Sequence, residues 1–434
     1  MKVLILGSGG REHALAWKIK QSPLCGKLYC APGNGGMAQI AECVDIAPTD
    51  TEALIKFVKN EDIDFTIVGP EAPLVAGIVD IFEKQKLRVF GPNRKAAQLE
   101  GSKIFAKEFM QRCNIPTAAF KTFENVDKAV KFLEKAQYPL VVKADGLASG
   151  KGVMMCDKFA EAEKAAEEIM TKETFKEAGK KVVIEECLFG EEVSILAVSD
   201  GDDYIILDSS QDHKRVFDDD LGPNTGGMGA YSPTPFVDED LLKKIESRII
   251  DPTIRGMRRE GNSFRGILYA GLMLTKEGPF VLEYNVRFGD PEAQAILPRL
   301  ENDLLEVMLA ASEYRLHEID LKWDKSTCVC VVMSSGGYPG KYQTGFEIKG
   351  LDKLPADGDT VVFHAGTEMK SGKILTSGGR VLGVTALGNN MEKAVSRAYH
   401  AVEKIKFDRC FFRRDIGAKA LRFMEKRPKA STHR

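Results

Sequence analysis

A chain of 434 residues is too long for one compact core, so two to four domains are expected. Its apolar and aromatic fractions are those of an ordinary globular protein, and 61 basic against 63 acidic side chains leave a formal net charge of -2. That balance points to no nucleic acid and no membrane as partner, although a phosphorylated small substrate needs only a few local cations.

Met1 and Lys2 lead straight into Val3, Leu4, Ile5 and Leu6, a first buried strand too short for a signal-peptide core. No apolar run approaches the ~20 residues of a membrane helix. A cytoplasmic protein is the expectation. The first hundred residues then alternate strands with helices: KVLILG, a helix over about 11–21, KLYC, a helix over 51–59, DFTIVG, a helix over 74–83 and LRVFG. This βαβ series predicts a doubly wound parallel sheet whose loops GSGGREH, APGNGG and GPEAP gather at its carboxyl edge.

A helix is expected over 101–113. From about 115 to 199 the pattern is a small α+β unit with two hairpin-like pairs, YPLVVKADGLASGKGVMMC and KKVVIEECLFGEEVSILAVSD. A long helical run over 238–260 follows. GILYAGLMLTKEGPFVLEYN then reads as two central strands joined at Lys276-Glu277-Gly278. After Trp323 the chain is rich in strands and turns before two final helices. Its nine cysteines form no CxxC and its six histidines no HExxH, so no zinc site or disulfide framework is encoded. Cys328 and Cys330, two apart on a strand, are expected as buried free thiols.

Gly7-Ser8-Gly9-Gly10 closes a strand and opens a helix, so its amides are candidates for a phosphate, with Arg11 beside them. A nicotinamide oxidoreductase is disfavoured, because the third glycine of GxGxxG falls at Glu12 and no acidic residue ends the second strand. The loop after Lys143, Ala144-Asp145-Gly146-Leu147-Ala148-Ser149-Gly150-Lys151-Gly152, fails the P-loop spacing by one residue and lacks the hydroxyl residue for magnesium. It still offers amides and two lysines to phosphates if it closes. Glu283 and Asn285 alternate on a strand, so a carboxylate and an amide oxygen share one face and suit one hard cation.

Together with MKVLILGSGGREHALAWK, APGNGG, VGPEAPL, QDHKR, NTGGMGAYSP and LEYNVRFGDPEAQ, these segments resemble the ATP-grasp enzymes, and among them the glycinamide ribonucleotide synthetases, over nearly the whole chain. The resemblance implies an N-terminal α/β substrate-binding domain over 1–100, an ATP-grasp domain over 101–320 with a mobile lid at about 117–195, and a strand-rich C-terminal α+β domain over 321–434. It implies that Lys103 and Lys143 face ATP phosphates under the lid loop, with Gly146, Ser149, Gly150, Lys151 and Gly152. Glu185, Glu186 and Leu188 would line adenine and Glu192 would hold ribose. Glu283 and Asn285 would bind Mg2+ or Mn2+. Gly9, Arg11, Glu12, Asn34 and Glu71 become candidates for 5-phosphoribosylamine. Asp212, His213, Lys214, the turn of Thr225, Gly226, Gly227 and Gly229, and Arg287 and Asp290 would line the reacting centre. Arg287, Lys143 and Asp290 are the catalytic candidates.

The implied reaction joins glycine to 5-phosphoribosylamine with ATP, through glycyl phosphate, in a monomer. His213 is read as a positioning group rather than a general base. The strand GILYAGLML supplies no aspartate as a further metal ligand, which leaves one or two ions open. The rival readings are a carboxyphosphate-forming ATP-grasp enzyme, such as a carboxyaminoimidazole ribonucleotide synthetase, and a nucleotide-binding regulator without turnover.

Overall fold

The computed structural model describes residues 1–147, 152–171, 178–355 and 358–426. At its N-terminus lies a five-stranded parallel sheet of β1 (Lys2–Gly7), β2 (Lys27–Pro32), β3 (Glu42–Cys43), β4 (Phe65–Val68) and β5 (Val89–Phe90), ordered β3-β2-β1-β4-β5. Helices α1 (Gly10–Lys20), α2 (Thr51–Asn60), α3 (Glu71–Ala76) and α4 (Ile78–Lys84) connect its strands. Alternate residues of β1 enter different cores: Leu4 and Leu6 pack with Leu54, Phe82 and Leu268, whereas Val3 and Ile5 pack with Leu15, Phe65 and Leu305. A strand buried on both faces has to be apolar throughout, which is why KVLILG does not alternate.

The single helix expected over 74–83 is two helices, because Gly77 adopts the left-handed conformation (φ +88°) between α3 and α4. The helix expected from residue 101 is also split. Here α5 (Gln98–Gly101) stops before Ser102, whose hydroxyl caps α6 (Lys103–Arg112) by accepting from the Phe105 N–H at 3.1 Å.

A separate four-stranded sheet follows, built from β6 (Phe120–Phe123), β7 (Leu140–Ala144), β8 (Val153–Cys156) and β9 (Val182–Glu186) in the order β6-β9-β7-β8. Helices α7 (Val126–Leu133) and α8 (Phe159–Thr171) cover it around Leu133, Val142, Ala162 and Ile184. The expected β7–β8 hairpin is present. The second expected hairpin is not: β9 pairs with β6 and β7, while β10 (Glu191–Asp200) leaves for another sheet, ordered β11-β10-β16-β17. Cys187 to Gly190 therefore carries the chain between sheets. Gly190 permits the crossing, since a Cβ there would collide with the Leu274 carbonyl.

In that sheet β11 (Tyr204–Ile206) forms one edge. Next along the chain, β12 (Gln211–Asp212), the hairpin β13 (Arg215–Phe217) and β14 (Leu221–Asn224), and β15 (Gly229–Ser232) lead to a long helical stretch of α9 (Glu239–Ile245), one π-turn and α10 (Asp251–Arg259). Then β16 (Arg265–Thr275) and β17 (Gly278–Asn285) complete the four-stranded sheet, with β16 inside and β17 at the edge rather than both central. Helices α11 (Glu292–Ile296) and α12 (Leu304–Ser312) follow.

The C-terminal segment contributes β18 (Thr327–Ser335), β19 (Thr360–His364), the hairpin β20 (Thr367–Lys370) and β21 (Lys373–Thr376), β22 (Arg380–Gly388), α13 (Met391–Lys404), β23 (Cys410–Phe411) and α14 (Ala418–Lys426). Its main sheet runs β12-β15-β18-β22-β19, with β23 added on β18. Two strands from residues 211–232 are thus built into it, across the division expected near residue 320. Cys328 and Cys330 are buried free thiols, as expected.

Candidate active site

The site lies where the end of β17 meets the N-terminal loops. Arg287, two residues past β17, is its hub. Its Nη2 donates to Glu100 Oε1 at 2.9 Å and to Asn285 Oδ1 at 3.1 Å, its Nη1 to the Phe288 carbonyl at 3.1 Å, and its Nε lies 3.4 Å from Glu71 Oε2. A planar guanidinium alone can hold this many partners in one fixed orientation. Burial raises the Glu100 carboxyl, with Glu71 adding and Arg287 opposing, whereas Arg287 and Arg11 outweigh burial at Glu71 and hold it down. Glu100 also accepts from the Val286 N–H at 2.7 Å, so α5 fixes the backbone next to Arg287.

Glu283 pairs with Lys214 Nζ at 3.7 Å, and the same ammonium is 3.0 Å from Glu192. Burial pushes the Glu283 carboxyl up, but Lys214, Lys103, Lys143 and Arg287 outweigh it and hold it down to about 2. It is an anion at neutral pH. Gly271 stands opposite Glu283 in the β16–β17 register, so that strand contributes no second carboxylate there. Asp212 is pushed up by burial, with Glu292, Glu192 and Glu283 adding and Lys214 opposing.

On the lid side, the Lys143 ammonium pairs with Glu185 Oε1 and donates to the Leu282 carbonyl at 3.3 Å. Glu185 Oε2 pairs with Lys107. Both oxygens of the Glu185 carboxylate are therefore engaged by lysines. Glu186 accepts from the Ala119 N–H at 2.9 Å. Lys103 opens α6 with its Nζ 3.5 Å from the Gly146 carbonyl, and Asp145 accepts from Ser102 Oγ at 2.9 Å and Ile104 N–H at 3.1 Å, which ties the loop to α6. Gly146 has φ +119°, a conformation for glycine. Ser149, Gly150 and Lys151 lie outside the described residues.

The expected phosphate cradle at the start of α1 has other occupants. Glu12 caps the helix by accepting from the Gly9 N–H at 2.7 Å, and Asp290 accepts from the Arg11 N–H at 3.4 Å. Two carboxylates thus answer the helix dipole where an anion was expected. Glu12 fills the space left by Gly7 and Gly69 and binds Arg11 Nε at 2.6 Å; Arg11 Nη1 donates to the Phe288 carbonyl at 3.0 Å. Arg380 and Arg11 outweigh burial and keep Asp290 ionised.

Asn34 is likewise used up. Its amide donates to the Ser8 and His364 carbonyls, both at 2.8 Å, and its oxygen accepts from the Gly36 and Met37 N–H groups, both at 3.0 Å. A primary amide has no further strong donor to offer a substrate, so Asn34 is a tie between loops. His213 is 2% exposed, and burial, with Arg413 and Lys419 adding, holds it down to about 4; it is neutral and unsuited to be a general base at pH 7. Thr225 accepts from the Gly227 N–H at 2.9 Å and donates to the Lys214 carbonyl at 2.8 Å, which shapes the turn, and Gly229 opens β15 opposite Val331.

Four residues without a sequence motif hold the site together. Lys107 and Glu100 flank the Gly101-Ser102-Lys103 segment. Arg380 Nη1 donates to the Gly226 and Asp290 carbonyls, both at 2.6 Å, and so clamps those two loops together. The Tyr338 hydroxyl accepts from the Gly226 N–H at 3.0 Å. Proximity to a motif was the one available signal for the first pair; for Arg380 and Tyr338 there was none.

Comparison with known proteins finds three models in succession: the phosphoribosylglycinamide synthetase N domain over residues 1–100, its ATP-grasp (A) domain over 101–293 and its C domain over 328–419. The phosphoribosylamine–glycine ligase of Caldanaerobacter subterraneus subsp. tengcongensis is 50% identical over 418 residues, covering 96% of this chain and 100% of that protein. That of Escherichia coli strain K12 is 51% identical, covering 97% and 99%. The crystal structure of the Thermotoga maritima phosphoribosylamine–glycine ligase superposes with a TM-score of 0.84 at 36% identity, covering 96% of this chain and all of that one.

Proposed function

The chain belongs to the phosphoribosylglycinamide synthetase family, and from that premise we propose that its central cleft joins glycine to 5-phosphoribosylamine with ATP, forming glycinamide ribonucleotide, ADP and phosphate. The observation that carries this is the arrangement around Arg287: a fork of donors fixed by Glu71 and Glu100 beside an ionised Glu283. It suits a negatively charged group passing between two oxygens.

A carboxylate oxygen of glycine attacks the γ-phosphorus, and the bond to the bridging oxygen of ADP breaks. The amine of phosphoribosylamine then attacks the carbonyl of glycyl phosphate, phosphate leaves, and the amine proton passes to phosphate or solvent. Such chemistry needs positioning and cations more than covalent help. Arg287, Lys143 and Lys103 meet the migrating charge, Glu192 holds ribose, and the backbone of Glu185 to Leu188 takes the adenine edge. Asp212, Lys214, Asp290 and the turn of Thr225 to Gly229 line the acceptor side, with Gly9, Arg11 and Glu71 at its N-terminal wall.

ATP-grasp enzymes use a divalent metal, and the donor set fits Mg2+ or Mn2+: an anionic Glu283 and the amide oxygen of Asn285, hard oxygens two residues apart on β17. Bound there, such an ion neutralises charge on phosphate oxygens. Glu283 and Asn285 supply its ligands, and Lys214 serves Glu283 as a counter-charge. The chain is assigned to act as a cytoplasmic monomer.

The test is ADP release with glycine, phosphoribosylamine and bicarbonate omitted in turn. Release that requires both glycine and the amine supports the reading; release that follows bicarbonate and ignores glycine overturns it.

A further inference from the structure

We propose that Lys107 is a positioning residue for the nucleoside triphosphate: by balancing the charge of Glu185 it leaves the charge of Lys143 available to the phosphates. The proposal rests on reading the Lys143 region as the ATP site. Lys107 projects from α6 and is 3% exposed; it pairs with one oxygen of Glu185 while Lys143 pairs with the other. Its Nζ also donates to Thr117 Oγ1 at 2.7 Å, and that hydroxyl donates to the Val281 carbonyl at 2.7 Å. The Phe120 ring lies 6.0 Å from the ammonium. Lys107 is thus anchored to the α6, β6 and β17 side of the cluster, whereas Lys143 reaches the carbonyl of Leu282, next to Glu283.

Charge accounting gives the consequence. At Glu185 itself two ammonium groups face one carboxylate, a local excess of one positive charge at a site nearly closed to water, where it acts strongly on phosphate. Without Lys107, Glu185 has Lys143 as its sole cation. The pair is then neutral, and Lys143 is drawn toward Glu185 instead of the nucleotide. Burying so many charges is costly, and a second lysine is more than Glu185 needs to balance its own charge. A purely structural Lys107 predicts something different, because loss of a second member of the cluster would then deepen the damage.

The experiment compares Lys107→Met, Glu185→Gln and the double variant in the full chain, reading ATP dissociation constants by calorimetry and KM for ATP and glycine from ADP release. Lys107→Met is expected to weaken ATP about tenfold or more with KM for glycine little changed, and the double variant to return within about threefold of the parent. An unchanged ATP constant in Lys107→Met, or a folded double variant as weak as the single one, overturns the proposal. Should Lys107→Met not fold, Lys107→Gln, which keeps a donor for Thr117, takes its place with the same outcomes. Lys143→Met is the control: if it binds ATP as the parent does, the ATP-site reading itself fails, whatever Lys107 does.

Discussion

Glu283 has four cations around it and, among the described residues, pairs with Lys214, which also pairs with Glu192, so its carboxylate can be removed without stranding a buried charge. Glu283→Ala is therefore expected to lower kcat by about 100-fold or more while the melting temperature stays close to the parent's, measured by ADP release and thermal unfolding. Arg287→Lys should lose a similar factor, because an ammonium cannot face Glu71, Glu100 and Asn285 together. A different residue pair governs pH. His364 N–H donates to His13 Nδ1 at 2.7 Å, and burial holds His364 down to about 4 and, with His364 adding, His13 to about 3. Between the unfolded value of about 6.5 and these folded values the unfolded chain binds more protons, so stability falls as pH falls. Urea midpoints should drop from pH 6.5 to 5, and less steeply in His364→Gln. At this scale the sequence marks a dense cluster in Glu283, Asn285, Arg287 and Asp290, of which the structure brings Arg287 onto Asn285. The sequence was silent for Lys107, whose spacing on α6 is that of an ordinary helix residue, and for Arg380, which reaches its two loops from 90 and 154 residues away. It carries no mark of the ties Asn34 makes to Ser8, His364, Gly36 and Met37, because a loop asparagine that ties backbone to backbone has the same surroundings in sequence as one that binds a ligand.

Among the elements, the turn of Thr225 to Gly229 is constrained by both conformation and close packing. Gly227 has φ +111°, and a Cβ there would collide with Pro291 Cδ. Gly372 has φ +76° but open space around it. Gly372→Ala is expected to cost about 1 kcal/mol of backbone strain and no activity. Gly227→Ala adds overpacking of about 1–3 kcal/mol and displaces the turn, so its ADP release should fall as well; urea denaturation and the activity assay check the pair. Parallel strands and amphipathic helices were legible because periodicity records burial. The segment from Lys180 to Asp200 was misread as a hairpin for a physical reason. Two apolar runs around Leu188-Phe189-Gly190 look alike whether the chain turns back or crosses over, and only pairing with β7 and β16, distant in sequence, decides between them.

At the scale of the molecule, the six-stranded sheet joins β12 and β15 to β18, so the region after residue 326 is part of the bed on which Asp212 and Gly229 rest. A chain ended at residue 326 would leave β15 with an unpaired edge and expose Ala230 and Tyr231, both fully buried in the whole protein. It is expected to be insoluble or rapidly proteolysed, and inactive for ADP release; a soluble, active fragment would refute this reading of the sheet. Sequence could not have revealed the interleaving, since an edge-seeking strand of four residues carries no mark of its partner. Synthesis adds a direction in time. As the chain leaves the ribosome, the parallel sheet and the four-stranded sheet over α7 and α8 have all their strands early, but β15 (ending at Ser232) must wait until Thr327 for β18 to begin, and β18 (ending at Ser335) must then wait until Arg380 for β22. The N-terminal wall of the cleft and the sheet that carries Lys143 are thus assembled before the turn of Thr225 to Gly229 gains its support, and an interrupted chain is left with an open strand edge at its centre.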